Sequence, residues 1–341
     1  MSKKIKALVA GVAAAAAMAA AGTASAQTLD TVKQRGHVLC GVSDGLPGFS
    51  LPDERANWTG LDVDTCRGIA AAVFGDPTKV QFRALNARER FTALQSGEVD
   101  VLSRNTTWTL TRDASLGLNF AGVNYYDGQG FMVRSSLGVN SAKELDGATV
   151  CIQAGTTTEL NLADYFRANG MKYDALVFDT SDQTVQGFES NRCDVLTSDI
   201  SQLAALRSKL SDPSSAVLLA ELISKEPLGP LVRQGDDQWF NIVKWSLYAQ
   251  LNAEELGVTQ ANVDEMKGSD NPEIQRLLGT GGDFGQHLGL SAEWAYNIVK
   301  GVGNYEEMFE RNVGPNTPLG LPRGMNALWN KGGVMYAPPV R

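Results

Sequence analysis

The chain has 341 residues, of which 43% are hydrophobic and 20% are charged, and its formal net charge is −8. This is the composition of an ordinary globular protein, and the length is sufficient for two lobes with separate cores. An acidic chain is a poor partner for nucleic acid or for anionic lipid, and we expect it to bind neither.

The first 26 residues have the pattern of a secretory signal peptide. Three lysines precede an apolar, alanine-rich run, and Ala24-Ser25-Ala26 forms a small-residue cleavage site. The run is too short and too rich in small residues to be a good membrane anchor. We therefore expect residues 1–26 to be removed on export, which leaves a soluble chain with a net charge of about −11.

The exported part contains four cysteines, Cys40, Cys66, Cys151 and Cys193. An even number of cysteines in an exported chain favours disulfides. Sequence alone allows three connectivities; we expect Cys40–Cys66 and Cys151–Cys193, each within one lobe. Because no C-x-x-C motif occurs and the chain has only two histidines, we expect neither a metal site nor a cofactor.

Residues 27–134 predict a first lobe in which strands and helices alternate, which indicates a mainly parallel sheet. Asp62 and Asp64 lie at the N-terminal end of a helix; we interpret them as capping residues, with a catalytic carboxylate pair as the alternative. The predicted elements are a strand at His37–Ser43, a loop at Asp44–Phe49, a helix to about Phe74, a strand at Val80–Leu85 and a helix at Arg88–Ser96.

The stretch from Asp100 to Arg112 has the layout of a binding site. A short buried strand, Val101–Leu102, runs into a series of polar residues and then reaches Arg112. Ligands of open α/β sheets bind outside the carboxyl ends of the strands. Hydroxyls, backbone N–H groups and a guanidinium together suit a small carboxylate. The alternative is a solvated loop that carries an ordinary surface arginine.

A second segment repeats this pattern. Residues 189–199 read ESNRCDVLTSD and residues 95–104 read QSGEVDVLSR, and each follows an amphipathic helix. Internal similarity of this kind suggests two related lobes. The first copy leads to Arg112 and the second ends on Asp199. If the two strand ends face one another across a cleft, they complement a zwitterion.

The second lobe is expected at residues 135–228, entered by a strand at Gly128–Arg134 and left by a crossover at Lys225–Pro230. Its turn Gly155-Thr156-Thr157 opens a helix and offers N–H groups to an anion, with simple N-capping by Thr156 or Thr157 as the alternative. The strands predicted for this lobe are Ala148–Ala154, Ala175–Asp179, Asp194–Ser198 and Ala216–Ile223.

The remaining chain is expected to return to the first lobe. Residues 229–264 include a long helix at Trp239–Leu256 with an apolar stripe typical of a core position. Residues 265–341 are predicted to be helical to about Asn312 and then rich in proline and glycine. We expect this C-terminal extension to pack on the first lobe.

In this order, the segments resemble periplasmic amino-acid-binding proteins of ABC importers, solute-binding protein family 3. The resemblance is carried by VLCGVSDGLPGFS, WTGLDVDTCRGIAAAVFG, DVL…TLTR, IQAGTTTE and DVLTSD. The C-terminal RLLGTGGDFGQHLGL, NYEEMFERNVG and GGVMYAPPVR resemble the general L-amino-acid-binding subgroup. The resemblance implies an α/β clamshell of two lobes with two crossover strands and a helical extension. It also implies a monomer that captures L-amino acids for a membrane permease.

The resemblance assigns roles to individual residues. Arg112 matches the arginine that binds the ligand α-carboxylate, assisted by backbone N–H groups of Thr107 in one lobe and Thr157 in the other. Asp199 matches the carboxylate that binds the α-ammonium, with help from the region of Asn105. Thr156, which precedes Thr157 at the start of the same helix, is also expected at the ligand site.

Two further positions bear on specificity. Leu46 stands where many relatives carry an aromatic residue over the ligand side chain, and Ser43 is neutral where binders of basic amino acids carry an acid. Both argue for a roomier pocket and broad specificity. Arg104, which we expect to border this pocket with Ser103 and Trp108, would favour acidic or amide side chains.

Two other functions remain open at this stage, because a fold does not fix a function. A dehydratase-like enzyme on the same clamshell would need an acid–base group, for which Glu159 and Asp44 are the nearby candidates. A ligand-sensing module of a membrane receptor is the third hypothesis, which the cleavage site and the lack of a second apolar segment disfavour.

Overall fold

The computed structural model of the protein describes residues 28–341, and the predicted signal peptide lies outside this range. Within it the chain forms two separate five-stranded sheets and a two-stranded pair of crossover strands. This agrees with the predicted two-lobed α/β architecture. No helix in this part of the chain is long and apolar enough to cross a membrane.

The strands are numbered in chain order: β1 Val38–Ser43, β2 Leu51–Pro52, β3 Trp58–Thr59, β4 Val80–Leu85, β5 Val101–Leu102, β6 Leu118–Phe120, β7 Tyr125–Asp127, β8 Gln129–Arg134, β9 Ala148–Gln153, β10 Tyr173–Phe178, β11 Val195–Asp199, β12 Ala216–Leu218, β13 Glu226–Leu228 and β14 Leu231–Arg233.

The helices are α1 Thr28–Arg35, α2 Leu61–Phe74, α3 Arg90–Gln95, α4 Leu110–Ser115, α5 Thr157–Ala168, α6 Ser181–Glu189, α7 Ile200–Arg207, α8 Asp237–Glu255, α9 Val263–Met266, α10 Pro272–Leu278, α11 Trp294–Val302 and α12 Tyr305–Asn312.

The first sheet has the strand order β4-β1-β5-β14-β6. Strand β1 pairs in parallel with β4 on one side and with β5 on the other, so these three strands end at the same edge of the sheet. Val38, Cys40 and Val42 of β1 are completely buried in the apolar cluster that also contains α2 residues. A disulfide between Cys40 and Cys66 links β1 to α2.

The second sheet has the corresponding order β10-β9-β11-β8-β12. Strand β9 pairs in parallel with β10 and β11, as β1 does with β4 and β5 in the first sheet. A disulfide between Cys151 and Cys193 links β9 to the turn before β11. The repeated DVL segments therefore occupy equivalent places, because β5 and β11 each follow an amphipathic helix and form the central strand of their sheet.

The chain passes to the second sheet at β7 and returns at β13, and these two strands pair in antiparallel orientation. The predicted first crossover at Gly128–Arg134 is wrong, because Gln129–Arg134 pairs with β11 inside the second sheet. Its residues are almost all buried, so their apolar pattern does not reveal which sheet they join. The expected lobe boundary at residue 134 therefore comes one strand too late.

The C-terminal extension packs on the first lobe and reaches the crossover. Trp294, Ile298 and Val299 of α11 share the apolar cluster that contains β1 and α2 residues. Further on, Oδ1 of Asn326 accepts from the Tyr126 N–H at 2.7 Å, and Nδ2 of Asn326 donates to the Tyr126 carbonyl at 3.0 Å. The extension is thus tied to the first crossover strand.

Candidate functional site

The carboxyl ends of the two sheets meet in a cleft between the lobes. Nδ2 of Asn105, in the loop after β5, donates to Oε1 of Gln202 on α7 at 2.9 Å. Oγ1 of Thr107 lies 3.3 Å from Oγ1 of Thr157 at the start of α5. Each contact joins a residue of the first lobe to a residue of the second. The lobes are therefore closed on one another, with the polar stretch 103–112 at their junction.

Arg112 is buried at this junction. One of its guanidinium nitrogens, Nη1, donates to the Thr107 carbonyl at 3.0 Å, and the guanidinium carbon lies 5.2 Å from the centre of the Phe91 ring. Burial lowers the pKa of Arg112 to about 10, although the carboxylates of Glu226 and Asp199 act in the opposite direction. The side chain keeps its positive charge at neutral pH, so Arg112 can bind an anion.

Two more arginines of the first lobe are buried close by. Nη2 of Arg90 donates across the cleft to the Gly155 carbonyl at 3.5 Å, and its Nε has no partner among residues 28–341. Arg104 donates from Nε to the Leu85 carbonyl at 2.9 Å. Burial lowers the pKa of both, and the like charge of Arg112 lowers that of Arg90 further. The sequence did not single out Arg90, because a lone arginine on an amphipathic helix normally faces solvent.

Two backbone N–H groups at the junction, those of Thr107 and Thr157, have no hydrogen-bond partner in the described part of the chain. The N-terminus of a helix binds anions through such groups. The alternative of simple N-capping is wrong, because the hydroxyl of Thr156 donates to the Gln153 carbonyl at 2.7 Å and no side chain caps α5. The N–H groups at this turn thus remain available to an anion.

Asp199, at the end of β11, is the anionic counterpart of Arg112. The residue is 5% exposed, and its carboxylate accepts no hydrogen bond from a donor within residues 28–341, not even from the helix that it precedes. Burial raises its pKa well above the ordinary range; the carboxylates of Asp127 and Glu226 raise the pKa further, while Arg112 and Arg90 lower it. A buried carboxylate without a donor is costly, and a cation would remove that cost.

The other two carboxylates of the cleft face each other on the crossover strands, where Asp127 of β7 pairs with Glu226 of β13. Asp127 accepts from the Gly128 N–H at 2.8 Å and from the Ser201 hydroxyl. Burial raises the pKa of Asp127 to about 6. The sequence did not identify either acid; the only signal is that each is an isolated acidic residue in a crossover segment.

Asn105 is positioned by Asp62, whose Oδ2 accepts from the Asn105 N–H at 2.8 Å and whose Oδ1 accepts from the Ser103 hydroxyl at 2.9 Å. Asn105 has a φ of +33°, in the region that asparagine adopts more readily than most residues. Asp62 and Asp64 lie in the first turn of α2, the predicted end of the helix, but neither caps it, because Gly60 is the N-cap residue and no side chain forms a capping hydrogen bond. Asp64 instead pairs with Arg311 of the extension at 2.7 Å.

Ser43 and Leu46, which we expect beside the ligand side chain, are both buried and make contacts within their own loop. Leu46 is 1% exposed and belongs to an apolar cluster with Phe49 and Leu61. Its loop folds back on itself through a bridge between Leu46 and Ser50. The Ser43 N–H donates to Oγ of Ser50 at 3.0 Å, and its hydroxyl lies 3.3 Å from Oδ1 of the neighbouring Asp44.

Glu159 and Asp44, the candidate acid–base groups of an enzyme, both contact other groups of the protein. Oε2 of Glu159 accepts from the Gly155 N–H at 3.3 Å and closes the turn before α5. Asp44 lies 3.9 Å from Arg104.

Trp108, expected at the pocket border, stacks on Phe120 and is 38% exposed. Over residues 28–341, no group of three or more histidine, cysteine, aspartate or glutamate residues could hold a metal ion.

Several known proteins are similar to this chain over nearly its whole length. The sequence model of bacterial extracellular solute-binding proteins, family 3, matches residues 38–260. The general L-amino acid-binding periplasmic protein AapJ of Rhizobium johnstonii is 59% identical over 340 residues, which cover 99% of this chain and 100% of the relative. The glutamate/glutamine/aspartate/asparagine-binding protein BztA of Rhodobacter capsulatus is 55% identical over 322 residues, covering 94% and 95%.

A solved structure shares the fold over nearly the whole length. It is an ABC transporter periplasmic binding protein from Brucella ovis with glutathione bound, and it superposes with a TM-score of 0.91 at 58% identity. The match covers 92% of this chain and 99% of that chain. Because the matched region extends beyond residue 260, the relatives share the C-terminal extension as well as the two lobes.

Proposed function

The chain belongs to the bacterial extracellular solute-binding proteins of family 3, and we propose that it captures L-amino acids in the periplasm and delivers them to the permease of an ABC transporter. The family and the clamshell fold that the resemblance predicted are confirmed. The similar proteins are solute-binding proteins and not enzymes, so the dehydratase-like alternative is not favoured.

One observation carries the proposal: a cation of one lobe and an anion of the other are both buried at the lobe junction. Arg112 and the N–H groups of Thr107 and Thr157 bind the α-carboxylate of the ligand. Asp199, which lacks a donor within the described chain, binds the α-ammonium, assisted by Asn105, whose side chain reaches Gln202 of the second lobe. An L-amino acid supplies both charges at one carbon atom.

The lobes touch through direct contacts such as that of Asn105 with Gln202. Ligand binding stabilises this closed form further, because the ligand adds contacts that are available only when the lobes meet. We assign the first lobe to the chain before β7 and from β14 to residue 264, and the second lobe to the chain between the crossovers. Residues 265–341 form an extension on the first lobe. Residues 1–26 act as the cleaved signal peptide, and the mature chain works as a monomer.

The specificity that we propose is broad, with a preference for acidic and amide side chains. The names of the two relatives support both parts, because one binds L-amino acids in general and the other binds glutamate, glutamine, aspartate and asparagine. Arg90 and Arg104 add buried positive charge near Arg112 for a second carboxylate. A second candidate ligand is glutathione, which is bound in the Brucella ovis structure and also presents an α-amino acid group.

Titration calorimetry of the mature chain with glutamate, glutamine, alanine, leucine, histidine, arginine, D-glutamate and glutathione tests the proposal. We expect several of the L-amino acids to bind, glutamate and glutamine most tightly, and D-glutamate to bind poorly. Binding of only one of the six L-amino acids would contradict the breadth of specificity. If glutathione binds and none of the six L-amino acids does, the ligand is a γ-glutamyl peptide and not a free amino acid.

A further inference from the structure

Glu226, the first residue of β13, is 1% exposed and connects three parts of the cleft. Its Oε2 accepts from the hydroxyl of Thr107 at 2.5 Å and from the hydroxyl of Thr157 at 2.9 Å. Its Oε1 accepts from Nδ2 of Asn161 on α5 at 2.7 Å and from the hydroxyl of Ser224 at 2.6 Å. One carboxylate oxygen is therefore shared by a hydroxyl of the first lobe and a hydroxyl of the second.

This arrangement fixes what the two threonines present to the cleft. A carboxylate only accepts hydrogen bonds, so each hydroxyl must direct its proton to Glu226. The backbone N–H groups of Thr107 and Thr157 remain without a partner within residues 28–341. Glu226 thus uses the hydroxyls of these residues and leaves their N–H groups free.

The charge of Glu226 also acts on Arg112, whose pKa it raises against the effect of burial. Glu226 is therefore close to both kinds of donor that we assign to the ligand α-carboxylate, the guanidinium and the two N–H groups. It does not itself offer a donor to an anion. Its effect on the ligand must pass through Thr107, Thr157 and Arg112.

We propose that Glu226 is a positioning residue that holds Thr107 of one lobe against Thr157 of the other, so that their N–H groups converge with Arg112 on the ligand α-carboxylate. This inference rests on the proposed function for the identity of the ligand. The holding of the two lobes by Glu226 is a property of the protein alone.

Glu226→Gln tests the effect on the ligand. An amide has one acceptor oxygen and cannot accept all four donors, so one pair of contacts is lost. Calorimetry should show L-glutamine binding weakened about tenfold or more, the effect of one charged hydrogen bond. The affinity for 4-aminobutanamide, which is glutamine without its α-carboxylate, should change less than about twofold, because the convergent N–H groups have no carboxylate to bind. The control is Glu265→Gln, the same chemical change at an exposed carboxylate, and it should alter neither affinity.

Equal losses for L-glutamine and 4-aminobutanamide would overturn the proposal, because Glu226 would then merely stabilise the crossover. An unchanged affinity for L-glutamine would overturn it as well. Thr157→Val offers a second route, since valine keeps the N–H group and removes the hydroxyl. We expect it to weaken L-glutamine binding a few-fold, and the double variant to bind no worse than Glu226→Gln alone. Additive losses would mean that the two residues act independently.

Solution X-ray scattering of the ligand-free chain tests the holding of the lobes without any ligand. The radius of gyration of Glu226→Gln should exceed that of the wild type, since the shared contact between the lobes is weakened. An unchanged radius would overturn the proposal. If the wild type binds no L-amino acid, the proposed function fails, and scattering still decides whether Glu226 joins the lobes.

Discussion

The two sides of the cleft differ in how far the protein itself satisfies their charges. The first lobe supplies the cations, and Arg104 and Arg112 each donate to a backbone carbonyl. The second lobe and the crossovers supply the anions. Asp127 and Glu226 have donors, whereas the Asp199 carboxylate has none within residues 28–341.

This difference shows which part of a ligand the closed cleft requires most. The arginine side already has acceptors, so an incoming carboxylate adds a charged hydrogen bond to groups that are partly satisfied. The Asp199 side leaves a buried carboxylate without a hydrogen-bond donor, so an incoming ammonium removes a desolvation penalty as well. We therefore expect the α-ammonium to control closure, and the α-carboxylate to control orientation.

The largest change should come from removing the principal cation. Arg112→Ala deletes the guanidinium that meets the α-carboxylate, and each charged hydrogen bond contributes about 1.5–3 kcal/mol. Since about 1.4 kcal/mol is one decade in affinity, L-amino acids should bind roughly a hundredfold more weakly or worse, measured by calorimetry.

Arg112→Lys provides the matched comparison. An ammonium keeps the charge and cannot reproduce the two-pronged geometry of a guanidinium, so it should recover only part of the loss. Full recovery would show that charge alone matters at this position. If Arg112→Ala lowers the affinity by less than about threefold, Arg112 does not bind the ligand, because such a loss is smaller than the contribution of one charged hydrogen bond.

Acid should weaken binding through the carboxylate side. Burial raises the pKa of Asp127 to about 6 and that of Asp199 well above the ordinary range. An ammonium needs an ionised partner, so affinity should fall from pH 7 to pH 5, by up to about tenfold per pH unit for one proton. Calorimetry across this range should find a shallower dependence in Asp199→Asn, and an equal slope in that variant would contradict the assignment.

In the ligand-free protein, these two acids should increase the stability of the fold as the pH falls. Because these two acids have higher pKa values in the folded state than in the unfolded state, folding takes up protons between those values. Their contribution therefore makes unfolding harder as the pH falls from about 7 to about 5. The melting temperature of the ligand-free wild type should rise relative to that of Asp199→Asn over this interval. A fall in the melting temperature relative to the variant would show that the pKa of Asp199 is not raised in the folded protein.

The sequence predicted the two charged residues assigned to the ligand, but not the residues that position their neighbours. The DVL repeat located Arg112 and Asp199 because each follows a short apolar strand within the same local pattern. Glu226 and Asp62 could not be found in this way, since their contacts are with residues 119 and 43 positions away. The strand at Gln129–Arg134 was assigned to the wrong side for the same reason, because only its pairing with β11 reveals its sheet.

The smallest effect should come from Thr156, which neighbours Thr157 in sequence and has a different function. Its hydroxyl donates to the Gln153 carbonyl and not to a group of the cleft. Thr156→Val keeps the N–H group of the turn, so affinity for L-amino acids should change less than about threefold. Calorimetry beside Thr157→Val makes the comparison direct, and a larger loss in Thr156→Val would place its hydroxyl at the ligand.

The central claim is that Asp199 meets the α-ammonium, and one cycle of titrations tests it. Wild type and Asp199→Ala are each titrated with L-glutamate and with 2-oxoglutarate, which has a keto group in place of the α-ammonium. The variant should bind L-glutamate roughly a hundredfold more weakly, through loss of a charged hydrogen bond and an ion pair, and should bind 2-oxoglutarate no worse than the wild type does. Equal losses for both ligands would show that Asp199 only stabilises the lobe and would contradict the account.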